Sequence, residues 1–400
     1  MEPGIQDPLA ESQRSPDSVG QPGPHGAGKI NPGAAEFPGL IWVFIGDGGL
    51  RVGWSLLIFA ILFRLFNFLI GTVAVELDPS LAWSAFSARI AFIAELIPLL
   101  ALVGAGALVA RLERRTILDY NLNGPRRSLQ FFAGMVAGFA ALSALVGALA
   151  LGGWLHFGPS TLAWYAVFKY AALWGAAFLL VGFFEEGTFR CYLQFTLARG
   201  INFWLALGIV GLLCLDLLLR SSGHPGLLAL VLIQMPGVKG SGPLGVYAIA
   251  LLGIAPCLLL HLKKAAGSGF WQAAWVSSAV FGYIHTGNGG ENWIGIFAAA
   301  AIGFVFCVSV RVTGSAWWAI GFHAAWDWAE SFFYGTADSG MVAPGHFLAT
   351  SPAGNALWSG GADGPEGSLL VLAVIVLLLV ALAAVYRRRK YVAPAAAHRA

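Results

Sequence analysis

The chain has 400 residues, 58% hydrophobic and 11% charged, and its 23 basic and 20 acidic residues leave a formal net charge of +3. Soluble domains carry about 45–50% apolar and about 25% charged residues, so large aqueous domains are excluded. So small a charge excess excludes a nucleic-acid surface. The apolar residues fall in many separate runs, which excludes a lone anchor and predicts an all-α polytopic transmembrane helical bundle of about 8–10 spans.

In chain order, residues 1–38 are crowded with Pro, Gly, Ser and Gln and read as a disordered tail. Glu2, Asp7 and Glu11 stand where a signal peptide would be basic. Apolar runs follow at about 53–75, 88–110, 129–151, 161–199, 203–219, 243–262, 270–285, 294–310, 315–333 and 368–386, ten in the full count. Several fall short of the about 20 residues of a full crossing, and 270–285 is the weakest.

The basic residues orient these spans. Arg111, Arg114, Arg115, Arg126 and Arg127 lie between the second and third, whereas the loop holding Glu76 and Asp78 has no Lys or Arg. Arg199, Lys263, Lys264, Arg311 and the cluster Arg387–Lys390 then fall on the first basic side, with Arg220 and Lys239 as exceptions. With ten spans, the positive-inside rule puts both termini in the cytoplasm. Cys191, Cys214, Cys257 and Cys307 are too scattered for a disulfide framework or a thiolate metal site. The stretch Gly200–Ala206 is echoed at Gly267–Ala273. An inserted helical hairpin would explain the echo, as would the recurrence of Phe-Trp pairs at membrane interfaces.

Ionisable side chains within spans are costly and are functional candidates by default. Three clusters qualify: Glu185, Glu186 and Arg190 in the fourth span, Phe281 with His285 in the seventh, and His323 with Asp327 in the ninth. Glu186 and Arg190 are four apart and share a helix face, so Glu186 reads as structural. Glu185 lies about 100° around the helix and has no basic partner at i+3 or i+4, which leaves it free to face a cavity as a general base. The plainer reading is a doubly acidic helix end with Glu185 reaching to water. Asp327 stands at i+4 from His323 and is placed to orient the ring, fix its tautomer or act beside it, against a plain interhelical polar contact.

Depth links the clusters. At about 1.5 Å per residue, Glu185 lies about 21 Å from Arg199, His285 about 22 Å from Phe270 and His323 about 18 Å from Arg311, which favours one intramembrane site built by three helices. A carboxylate base with two imidazoles suits hydrolytic amide cleavage, and proton-coupled transport needs similar residues. The zinc helix H-E-x-x-H, the serine elbow G-x-S-x-G and the paired aspartyl motifs are absent.

In this order, Glu185-Glu186-x-x-x-Arg190, Phe281-x-x-x-His285 and His323-x-x-x-Asp327 resemble the three motifs of the CPBP family, the CAAX-processing and bacteriocin-processing (Abi) intramembrane proteases. The resemblance covers about 161–333, between N-terminal helices at 39–160 and a final segment, 334–400, holding a non-cytoplasmic loop, the last helix and a basic cytoplasmic tail. It implies that Glu185 and His285 activate a water, that Glu186 and Arg190 brace the site, and that His323 and Asp327 polarise the scissile carbonyl. Three departures stand out: Cys191 where Gly often follows the motif arginine, Asp327 where Asn is common, and a long gap between the first two motifs that fits a hairpin inserted at about 205–269. The resemblance leaves the metal open, since two His and carboxylates suit Zn²⁺ while the family is also described as metal-independent, and the expectation is no obligatory metal.

The expected function is thus an intramembrane endopeptidase of the bacterial cytoplasmic membrane, acting on a membrane-associated peptide or protein, with the bilayer and no nucleic acid as partner. A non-enzymatic scaffold or immunity factor and a proton-coupled carrier are the alternatives. A carrier would be expected to show broken helices related by an internal repeat.

Overall fold

The computed structural model describes residues 41–46, 49–160, 162–230 and 242–386. The tail expected at 1–38, Lys239 and the cluster Arg387–Lys390 lie outside the described residues. The described residues fall into two units, the helical turn Ile41–Phe44 and the rest from Ile45 onward, and the second holds all the long helices described.

These are α1 (Val52–Leu77), α2 (Ala88–Leu112), α3 (Arg127–Leu151), α4 (Trp164–Ala198), α5 (Phe203–Ser221), α6 (Gly242–Leu262), α7 (Ser268–His285), α8 (Trp293–Thr313), α9 (Trp317–Asp327, extended to Tyr334) and α10 (Leu369–Tyr386). They fall on the ten expected runs. Among the described residues seven of them, α1 to α6 and α8, are long and apolar enough to cross a bilayer. The chain is a multi-pass membrane protein. Two helices outside that group, α7 and α9, are the ones that carry His285, His323 and Asp327, because the polar side chains that make a site also dilute a helix's apolarity.

Local chemistry sets the ends of the helices. Ser87 accepts a hydrogen bond from the Ile90 amide at the start of α2, Asn202 from Leu205 at the start of α5, and Asn292 from Ile294 and Gly295 at the start of α8. Gly314, at a φ of 86°, ends α8 in the left-handed conformation that costs glycine least. Along their lengths the backbone groups pair internally, as a chain without water contact requires. Large apolar side chains such as Phe68, Leu129, Val136 and Phe168 point outward.

The tightest helix crossing joins α3 to α9. A Cβ on Gly134 would fall on the Trp318 carbonyl, one on Gly138 on that of Phe322, and one on Gly321 on that of Phe131. The stretch Gly134-Met-Val-Ala-Gly138 thus lets two backbones touch, the small-residue packing that replaces hydrophobic drive between helices in lipid. From the other side Gly182 of α4 brings that helix against Ile320 and Ala324 of α9. The helix bearing His323 is therefore held between α3 and α4.

Side-chain bonds mark the two ends of the bundle. At one end Glu113 accepts from Arg199 at 2.5 Å and from Ser55, Ser315 donates to Gln130 at 2.5 Å, and Trp317 donates to the Leu122 carbonyl at 2.9 Å. Arg311 lies over the rings of Phe270 and Trp271. Residues 113–127, 199, 270 and 311–317 thus share one end, as the distribution of basic residues predicts. At the other end the strand Leu155–Gly158 pairs antiparallel with Ala349–Pro352, and Trp174 donates to the Pro344 carbonyl at 3.1 Å. Arg220, an exception to the charge rule, lies at the far end of α5, buried and paired with Asp216 at 2.9 Å. Asp216 also accepts from Tyr283, and Arg220 donates to Thr286 at 2.7 Å, so a buried polar network replaces exposure of a lone cation. The echoed stretches lie at the starts of α5 and α7, and α5 and α6 pack on each other and on α7.

Candidate active site

Two of the three motif helices change geometry at the motif. α4 is α-helical up to Glu186 and π-helical over Gly187–Leu193, and α9 is α-helical up to Asp327 and π-helical over Trp328–Tyr334. Such widened turns are rare and concentrate at functional sites. Each begins at the residue after a motif acid, and periodicity in the sequence carries no trace of it.

Glu186 and Arg190 are fully buried, with Glu186 Oε2 3.2 Å from Arg190 Nε. The guanidinium carbon lies 4.2 Å from the centre of the Phe281 ring and 5.1 Å from that of Phe306. Desolvated contacts of this kind are worth about 2 kcal/mol. Gly303 makes room for it, since a Cβ there would stand 2.7 Å from Arg190 Nη2. The ion pair expected from the i+4 spacing is present, and aromatic rings surround the guanidinium.

His323 is oriented differently from the sequence expectation. Its Nδ1 lies 2.8 Å from Glu186 Oε1, whereas Asp327 Oδ2 stands 3.6 Å from Nε2, beyond hydrogen-bond reach. Helical spacing brings Asp327 alongside the ring, but the packing of α4 on α9 delivers Glu186 to the nitrogen that sets the tautomer. Glu185 Oε2 stands 3.7 Å from the same Nε2. His285 ends α7, with Nδ1 2.8 Å from the Phe281 carbonyl. A carbonyl only accepts, so Nδ1 donates this bond.

Glu185, His285, His323 and Asp327 line one cavity of about 470 Å³, while Glu186 and Arg190 lie behind its wall. Trp174, Phe178, Ile302, Phe306 and Val374 supply apolar walls, and Asn288, Asp338 and Ser339 line its loop side. Glu95 of α2 reaches the same cavity. It stands within an apolar run, as does Glu330 of α9, and the cost of a carboxylate in lipid is the signal that would have found both. Asp338 and Glu366 enter from loops, where the sequence carries no comparable signal.

Those loops are acidic and buried. Burial first, then neighbouring Asp338, pushes Glu291 up to about 7, and burial followed by Glu291 pushes Asp363 up to about 8. Burial likewise raises Asp338 and Glu366 above the ordinary carboxylate range.

A zinc site made of both motif histidines and a carboxylate does not fit the side chains as they stand. Each histidine has its Nδ1 engaged, and among the described residues no three ligand atoms that include one from each lie within 4.8 Å of one another. Zinc at about 2.0–2.1 Å from each donor needs a tighter set.

The helical bundle is that of a multi-pass membrane protein, and acids and imidazoles meet in one buried cavity within it. Residues 256–329 match the family model described as type II CAAX prenyl endopeptidase Rce1-like. The matched stretch contains His285, His323 and Asp327 and begins after Glu185, Glu186 and Arg190. It accords with the CPBP resemblance carried by the motifs. No curated protein and no solved structure matches the chain.

Proposed function

We propose that this protein is an intramembrane endopeptidase in which Glu185 is the general base. The observation that carries the reading is the placing of the Glu185 carboxylate, partly open to the cavity, beside His323 Nε2 and in one chamber with His285. A water between Glu185 and His285 Nε2 gives its proton to Glu185 and attacks the scissile carbonyl carbon. A protonated Nε2 of His323 donates to the oxyanion, while Glu186 accepts from Nδ1 and holds the ring. Collapse breaks the C–N bond, and Glu185 returns its proton to the leaving nitrogen. The products are a carboxylic acid and an amine, and the step needs no cation. The apolar walls suit a membrane-associated peptide or protein as substrate.

Membrane proteomics of cells carrying the wild type or Glu185→Ala tests this reading. A peptide species should accumulate or vanish in the variant; identical profiles across growth conditions would favour the non-enzymatic scaffold. Turnover by purified protein should also survive prolonged chelation at neutral pH, whereas stoichiometric zinc with loss and recovery of activity would move Glu185 beside a metal-bound water.

A further inference from the structure

We propose that Glu330, Asp338 and Glu366 form a site for one hard divalent cation, Ca²⁺ in preference to Mg²⁺, that fastens the 335–368 loop to α9. One carboxylate oxygen from each residue lies within 4.8 Å of the others. A Ca²⁺ ion holds its oxygens at about 2.3–2.6 Å and bridges such a span, while Mg²⁺ demands about 2.0–2.1 Å and near-octahedral geometry. The donor set is all oxygen, which suits neither zinc nor copper.

One oxygen of each carboxylate is already engaged by the protein. Trp326 Nε1 donates to both Glu330 Oε2, at 3.1 Å, and Glu366 Oε1, at 2.6 Å. Ser331 donates to Asp338 Oδ2 at 3.0 Å. This leaves one oxygen of each carboxylate for a ligand, and that of Glu330, Oε1, is buried with no partner on a fully buried side chain. The strongest charges acting on Glu330 come from Glu366, Asp338, Asp327 and Asp363, all of them acids. One indole N–H shared between two carboxyl groups cannot offset that repulsion, so the set must hold protons or a cation, and a cation can meet all three free oxygens at once.

The site does not rest on the peptidase reading. Its effect is on the cavity mouth, since Asp338 and Glu366 line the cavity and Trp326 and Asp327 occupy the turn of α9 before Glu330.

The test uses the full chain, stripped with chelator and placed in lipid nanodiscs. Equilibrium dialysis with radioactive Ca²⁺ should give one ion per chain at about 1 mM or below, the range of extracellular calcium modules. Thermal unfolding should shift upward with Ca²⁺ and less with equal Mg²⁺. Asp338→Asn and Glu366→Gln, both in loops, should each weaken binding by at least about tenfold, and Glu76→Gln, remote and exposed, should leave it unchanged. No retained calcium, calcium retained by the folded double variant Asp338→Asn/Glu366→Gln, or equal affinity for Mg²⁺ would overturn the proposal.

Discussion

The two ends of the bundle solve the problem of buried charge in opposite ways. At the end holding Glu113, the acid faces Arg199 at 2.5 Å and Arg115 at 3.5 Å, so each charge has a counter-charge in place. At the cavity end Glu291, Glu330, Asp338, Asp363 and Glu366 are gathered without Lys or Arg among the charges that act most strongly on them. Balanced pairs hold helices in register and leave no group to react. Unbalanced acids around a chamber keep protons, or a cation, within reach of chemistry. The first motif carries the same contrast within two adjacent residues: Glu186 is spent on Arg190 and His323, and Glu185 is left to the cavity.

Sidedness gives the largest contrast, because the signal is all or none. Reporter fusions after Arg115 and after Arg389 should report cytoplasm, and one in the loop Asp338–Gly361 the opposite side. A cytoplasmic signal from that loop would mean a span count wrong by one and would turn the acidic end inward.

Next in size is the separation of the two glutamates. Glu185→Gln should lower turnover by about 10²–10⁴-fold and leave folded yield near that of the wild type. Glu186→Gln should instead destabilise the fold by about 3–5 kcal/mol by stranding Arg190, read as lost yield and a lower Tm. Reversed phenotypes would show the roles to be exchanged.

The helix crossing that sets the position of His323 should respond more weakly. Gly138→Leu has to push α9 away from α3 and should cost about 1–3 kcal/mol, with activity falling more than in an equally destabilised variant of α1. Unchanged Tm and activity would mean that α9 is positioned by α4 alone.

The smallest effect is a slope. Glu291, facing Asp338 and Glu185, and Asp363, facing Glu291, His285 and Asp338, hold their protons to about 7 and about 8. In an unfolded chain they release them near about 4. The folded state binds protons more tightly, so the stabilisation is full below about pH 4 and is lost as pH rises through the folded values. In chelator, Tm should decline between about pH 5 and about pH 8.5, and the double variant Glu291→Gln/Asp363→Asn should flatten that decline. An equal slope in the variant would place the titrating groups elsewhere.

The ten helices described were legible because an apolar run is a local signal read along the chain itself. Residue type and spacing also marked Glu185, Glu186, Arg190, His285, His323 and Asp327 as candidates, and predicted the ion pair of Glu186 with Arg190, whose partners sit four apart on one helix. The partner of His323 Nδ1 was decided by tertiary structure alone, because Glu186 lies 137 positions away and arrives through the contact of Gly182 with α9. The same holds for the π turns after Glu186 and Asp327, and for the meeting of Glu330 with Asp338 and Glu366 of the 335–368 loop. Spacing along one helix specifies neighbours on its own face; which face meets which other helix depends on packing summed over the whole bundle.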